Sequence, residues 1–303
     1  MQKTVSIVVL LWFGILSGCV SYKPHPPTPI LTASGISGWA VYSEPVSSDP
    51  FVTQIFLKNI GTGEIEQLTD SGNNGWPRWS PDGSQIVFTG WTEENSFDIY
   101  LMDKDGSHQR TIVASPASEN LPEWSPDGSK IAFVSNEDGN SEIYILDFAT
   151  QVIKKLTNSS EFATLPTWSD SGKYIAFESS SGGVGRSQIF VMNADGTNAK
   201  QLTSYDIDNF DGSPVWCPDD SCIVFTRFVE GVPKLMLLDL ANSEVKPFLG
   251  DVFSSSIMEV RPSRSPSRLY ITFSVGGTFY AINMKSGEIH PLDTEALDLS
   301  LHP

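Results

Sequence analysis

Histidine, cysteine and basic residues are all scarce in this chain. Its 303 residues hold four His, three Cys and 19 Lys plus Arg against 36 Asp plus Glu, a formal net charge of -17. A surface this acidic is repelled by phosphate backbones, which excludes nucleic acid as a partner. Neither His-x-x-x-His nor Cys-x-x-Cys spacing occurs, so the usual zinc frameworks are missing. There is no Gly-x-Ser-x-Gly elbow for a serine hydrolase. The four histidines, His25, His108, His290 and His302, are scattered, and no catalytic constellation can be assembled from them. The chain therefore reads as a non-enzyme. Long apolar runs are also missing, apart from Val5 to Leu16 near the amino end.

That one run is too short to cross a bilayer comfortably and follows the basic start Met1-Gln2-Lys3, as in a cleaved signal. Its end, Leu16-Ser17-Gly18-Cys19, closely resembles the bacterial lipobox. The resemblance implies that residues 1-18 are removed and that Cys19 carries the lipid. Val20 after that cysteine points to the outer membrane of a two-membrane host, with the body facing the periplasm. Residues 19-35, with Pro24, Pro26, Pro27 and Pro29, read as a stiff extended tether.

Glycine, proline and aromatics are plentiful, and they recur in register. Pro77-Arg78-Trp79-Ser80-Pro81-Asp82-Gly83 returns as Pro122-Glu123-Trp124-Ser125-Pro126-Asp127-Gly128. Weaker copies are Pro166-Thr167-Trp168-Ser169-Asp170-Ser171-Gly172 and Pro214-Val215-Trp216-Cys217-Pro218-Asp219-Asp220. Each leads into an apolar run such as Ile86-Val87-Phe88 or Ile131-Ala132-Phe133. A second mark, the Asp or Asn closing a strand, falls at Asn59, Asp103, Asp147, Asn193, Asp239 and Asn283, always 44 or 46 residues apart. Four strand-like runs per unit at that period predict an all-β, six-bladed β-propeller of four-stranded blades over residues 36-303. The first unit lacks a Pro-x-Trp strand, while Leu301-His302-Pro303 lines up with Trp79-Ser80-Pro81. The carboxyl-terminal strand is thus predicted to complete blade one and close the ring.

Units of this kind resemble the TolB-type propeller repeat, a relative of the WD repeats. The match is specific in units two to four; unit six has lost the Trp. The resemblance implies a binding module in the bacterial envelope. The TolB protein itself carries an amino-terminal α/β domain, and only the short tether stands in that place here.

A Trp repeated once per blade is expected to pack between sheets, and Ser-Pro-Asp-Gly to make a tight turn. Function belongs in the loops that break the repeat. Loops before each Pro-x-Trp strand, and those between second and third strands, should share one rim. On it, Asn74, Trp76, Trp91, Glu119, Asn120, Phe162, Phe210 and Asp211 are the candidate partner-binding residues, since loop aromatics among polar groups make hot spots. Asp206, Asp208 and Asp211 leave two readings open: a site for a divalent cation such as calcium, completed by backbone carbonyls, and a solvated acidic loop. No other cofactor is expected. Cys217 and Cys222 flank the turn of unit five, and export permits a hairpin disulfide between them. The expected function is protein binding in the cell envelope by a lipid-anchored monomer. The alternative is a glycan-binding or glycan-cleaving propeller whose loop aromatics stack on sugars beside an acid-bound cation.

Overall fold

In the computed structural model the chain is described over residues 30-31, 38-46, 49-91, 96-159, 161-180, 186-204, 209-230, 232-248, 263-264, 270-275, 278-292 and 298-302. The described residues form strands and turns, with no helix among them. Six antiparallel sheets follow one another. Blade two runs Asn74–Trp79, Gln85–Trp91, Phe97–Asp103 and Arg110–Val113, and blades three to five repeat this order. The first strands of successive blades neighbour one another around the ring, so they are the innermost.

Blade one is completed from the other end of the chain. Asp298–His302 pairs antiparallel with Trp39–Val46, Leu301 opposite Ala40 and His302 opposite Trp39. Blade two sets Trp79 opposite Ile86 in the same way. The ring is therefore closed by the strand that the sequence alignment selected. Blade six holds a feature that the proline spacing did not announce. Ile30–Leu31, inside the tether segment, pairs in parallel with Glu288 and Ile289 and adds a fifth strand at the outer edge. An edge strand presents unpaired amides and carbonyls, and this segment supplies partners for some of them.

The apolar core is divided among the seams between blades. Val41, Ile55, Leu57 and Leu68 of blade one pack with Trp79, Ile86, Phe88 and Met102 of blade two. Ala40 and Tyr42 of blade one pack with Phe279, Ala281 and Leu292 of blade six, which seals the ring hydrophobically as well. The recurrent Trp takes the role expected of it. Trp124 and Trp216 are buried, and their indole N–H groups donate to the carbonyls of Arg78 (3.3 Å) and Thr167 (3.1 Å) on the preceding blade.

Ser-Pro-Asp-Gly is a self-contained joint. Asp82 Oδ1 accepts from Ser80 Oγ (2.6 Å), Ser84 N (3.0 Å) and Ser84 Oγ (2.8 Å), while Gly83 takes a φ of 69°. The hydroxyl of Ser80, then the backbone and hydroxyl of Ser84, hold the Asp82 carboxyl below its usual range. Blade five varies the theme. Asp170 replaces the proline of blade four's turn and so exposes an N–H; Asp220, in the glycine position of the next turn, accepts from that N–H and from Ser171 N (3.0 Å). Two departures from the motif thus compensate one another across a seam. Cys217 and Cys222 are buried and joined as a disulfide, with Cα atoms 5.2 Å apart, in the seam between blades five and six.

Candidate functional site

Antiparallel strands sort the connections into two rims. The Ser-Pro-Asp-Gly turns and the third-to-fourth strand turns lie on one, here the turn rim. The entries to the innermost strands and the second-to-third strand loops lie on the other, the loop rim. In blade two the Trp91 N–H donates to Asn73 O (2.8 Å), and Trp91 stands opposite Phe97 across the second and third strands.

In blades two to five the innermost strand is bulged just below the loop rim. Pairing slips between Gly75 and Arg78, between Thr164 and Thr167, and between Gly212 and Val215. At the bulge a non-glycine residue takes positive φ: Trp76 (49°), Leu121 (54°), Leu165 (50°) and Ser213 (53°). Bulges re-aim side chains, and bulky residues pay for that conformation only when the surroundings hold them there. In blade two the result is an aromatic cluster. Trp76 meets Phe97 edge-on at 6.0 Å, and Trp91 meets the same ring edge-on at 4.6 Å. Trp91 is 40% exposed. Phe97 was not singled out from sequence, although the same register position holds Thr53, Ser141 and Ser187 in other blades. Comparing blades at that position would have found it.

The other candidates divide sharply. Asn74 is buried and joins blades: its amide donates to Gln54 Oε1 of blade one (3.0 Å) and to Ser71 O (2.8 Å). Glu119 is buried; Ser115 Oγ (2.7 Å) and Ser135 Oγ (3.1 Å) both donate to its Oε1. Asn120 and Phe162 are half-buried, and the Phe162 carbonyl accepts from Ser179 Oγ (2.6 Å). Asp211 commits both carboxylate oxygens to Arg227, at 2.7 Å from Nε and 2.7 Å from Nη2. Beside that pair Phe210, 37% exposed, stacks on Phe228 at 4.2 Å. Asp206 and Asp208 lie outside the described residues. Among the described residues no group of three His, Cys, Asp or Glu is placed to hold a metal ion.

One charged group escaped the sequence reading. Glu178 follows Phe177 in blade four, where the other blades carry Ser43, Thr89, Val134, Thr226 and Ser274. It reaches across the seam to the Ser213 N–H (3.3 Å). Gly212 makes room for it, since a side chain there would collide with the carboxylate. Burial pushes the Glu178 carboxyl above its ordinary range; bonds from Ser187 and Ser213 pull it back, and the charge of Asp211 adds to the rise.

Chemically, the loop rim offers apolar rings over a layer of polar groups held mostly by hydrogen bonds within the ring, the arrangement of a docking surface. Comparison with known proteins agrees with the architecture. Among solved structures the chain is similar to TolB from Acinetobacter baumannii, at 20% identity over 88% of this chain and 67% of that one, with a TM-score of 0.72. It is similar to a putative TolB from Agrobacterium tumefaciens at 22% identity, over 71% and 89% of the two chains, with a TM-score of 0.55. An oligogalacturonate lyase in complex with manganese shares the fold at 15% identity, over 78% and 70%, with a TM-score of 0.58. No curated protein sequence matches the chain. The family model for the TolB beta propeller domain matches residues 46–141 and 116–282, most of the ring, and the chain belongs to that family.

Proposed function

We propose that this chain is a protein-binding module of the bacterial cell envelope, a monomer held on the outer membrane by lipid on Cys19 and facing the periplasm. One observation carries the reading: an edge-to-face cluster of Trp76, Phe97 and Trp91 stands on the loop rim, with Trp91 40% exposed and outside the buried apolar clusters of the described residues. An exposed Trp beside half-buried aromatic neighbours suits the anchor of a protein interface, where a few rings carry most of the affinity. Phe210 stacked on Phe228 supplies a second such point on blade five.

The test is photo-crosslinking in the native envelope from a probe at position 91. A discrete protein adduct is expected, and Trp91→Ala should weaken binding of the captured partner at least tenfold, in line with a loss of about 2 kcal/mol at a hot spot. Capture of glycans alone on an array, with no protein adduct, would overturn this reading in favour of a sugar-binding rim.

A further inference from the structure

The parallel pairing of Ile30–Leu31 gives this segment a direction relative to the two rims. In every blade the outermost strand starts at the turn rim and climbs toward the loop rim. Glu288, the partner of Ile30, is the first residue of that strand in blade six, directly after the turn Met284 to Gly287. Leu31 pairs one step higher, with Ile289. Ile30–Leu31 therefore runs upward along the blade, with its amino end toward the turn rim. An antiparallel pairing would have turned that end toward the loop rim.

We infer that the lipid-anchored ring presents its turn rim to the bilayer and its loop rim, with Trp91 and Phe210, to the opposite side. This rests on the proposal that Cys19 is lipidated. The eleven residues 19-29 reach about 36–40 Å fully extended. Run straight, they hold the turn rim near the lipid surface. To turn the loop rim toward the membrane, they would have to double back along the outside of blade six, over roughly 20 Å for a strand of six residues. Charge bears on the spacing from the membrane and not on which rim faces it. The turn rim carries Asp82, Asp105, Asp127, Asp195 and Asp219, so an anionic bilayer repels it and the prolines keep the body at a distance. The partner surface is then free of the membrane.

The experiment uses the full lipidated chain in vesicles containing acceptor-labelled lipid. A donor dye is placed at Ala149→Cys on the turn rim or at Glu137→Cys on the loop rim; both positions are exposed and belong to blade three. Energy transfer should be stronger from position 149, by an amount matching a height difference of roughly 20 Å. In an Ile30→Pro, Leu31→Pro variant, which removes the backbone N–H groups of the added strand, the two positions should converge. Equal transfer in the parent, stronger transfer from position 137, or an asymmetry that survives the prolines would each overturn the inference. Flotation and the mass of the amino-terminal peptide read the anchor separately. A chain that floats but shows no asymmetry defeats the orientation alone, and one that carries no lipid defeats the anchor and the orientation with it.

Discussion

The two rims of this ring are made by the same strands, yet their residues do opposite work. On the turn rim nearly every polar group bonds to its own turn or to the next blade: Asp82 to Ser80 and Ser84, Asp127 to Ser125 and Ser129, Asp220 to the turn of blade four. On the loop rim the repeat is broken differently in each blade, by Trp76, Phe97 and Trp91 in one and by Phe210, Asp211 and Arg227 in another. The lesson is that repetition marks the load shared by all blades, and departure from it marks what a single blade does. A feature needed six times is a joint.

That contrast can be broken most severely at the closure. Removing residues 298-303 strips blade one of its innermost strand and uncovers Ala40 and Tyr42. Cooperative thermal unfolding should disappear or fall by more than about 15 °C, read by calorimetry; a parent-like melt would refute the closure's importance. Next, Trp216→Ala empties a seam and removes the indole N–H bond to the Thr167 carbonyl, and should cost about 3–5 kcal/mol in denaturant unfolding. The exchanged joint gives a smaller, more pointed effect. In a double-mutant cycle Asp170→Pro and Asp220→Gly should couple by about 0.5–3 kcal/mol, because the double variant restores the Pro–Gly pairing of the other turns. Additivity would mean that the two departures are independent.

Glu178 tests the comparison by pH. Its carboxyl is raised in the folded state, so the stability it contributes is present below the unfolded-state value and is lost as pH rises through the folded one. Glu178→Gln should then gain stability relative to the parent on going from acid to neutral pH. Parallel stability curves for the two proteins would count against a raised folded-state value. Smallest of all in stability is Trp91→Ala, expected to stay within about 0.5 kcal/mol of the parent while losing the partner. A large loss of stability there would make Trp91 a joint like the others.

Much of this was legible before any coordinates. The blade count, the four strands per blade, the packing of the Trp and the closing role of Leu301 and His302 all follow from residues that recur at fixed spacing, because six copies report one local environment six times over. The candidate site was legible only in part. Trp91 could be read as an exposed aromatic because it breaks the repeat. Phe97, its ring partner, sits inside a strand pattern and draws no notice until the strands are paired. Asn74, Glu119 and Asp211 share a register position five residues before the Trp, and sequence gives no sign that this position points inward.

What the sequence by itself determined is the repeat and hence the ring: periodic apolar runs and turn residues dictate strands and hairpins locally, through backbone sterics and the burial of alternate faces. Tertiary structure alone decided which polar groups are spent and which are available. Whether Asp211 meets Arg227, whether Glu178 slips past Gly212, and whether Ile30–Leu31 docks beside Glu288 all depend on strands brought together across seams and edges. Such contacts join residues distant in the chain, and their energies are set by desolvation and by geometry that spacing along the chain does not encode.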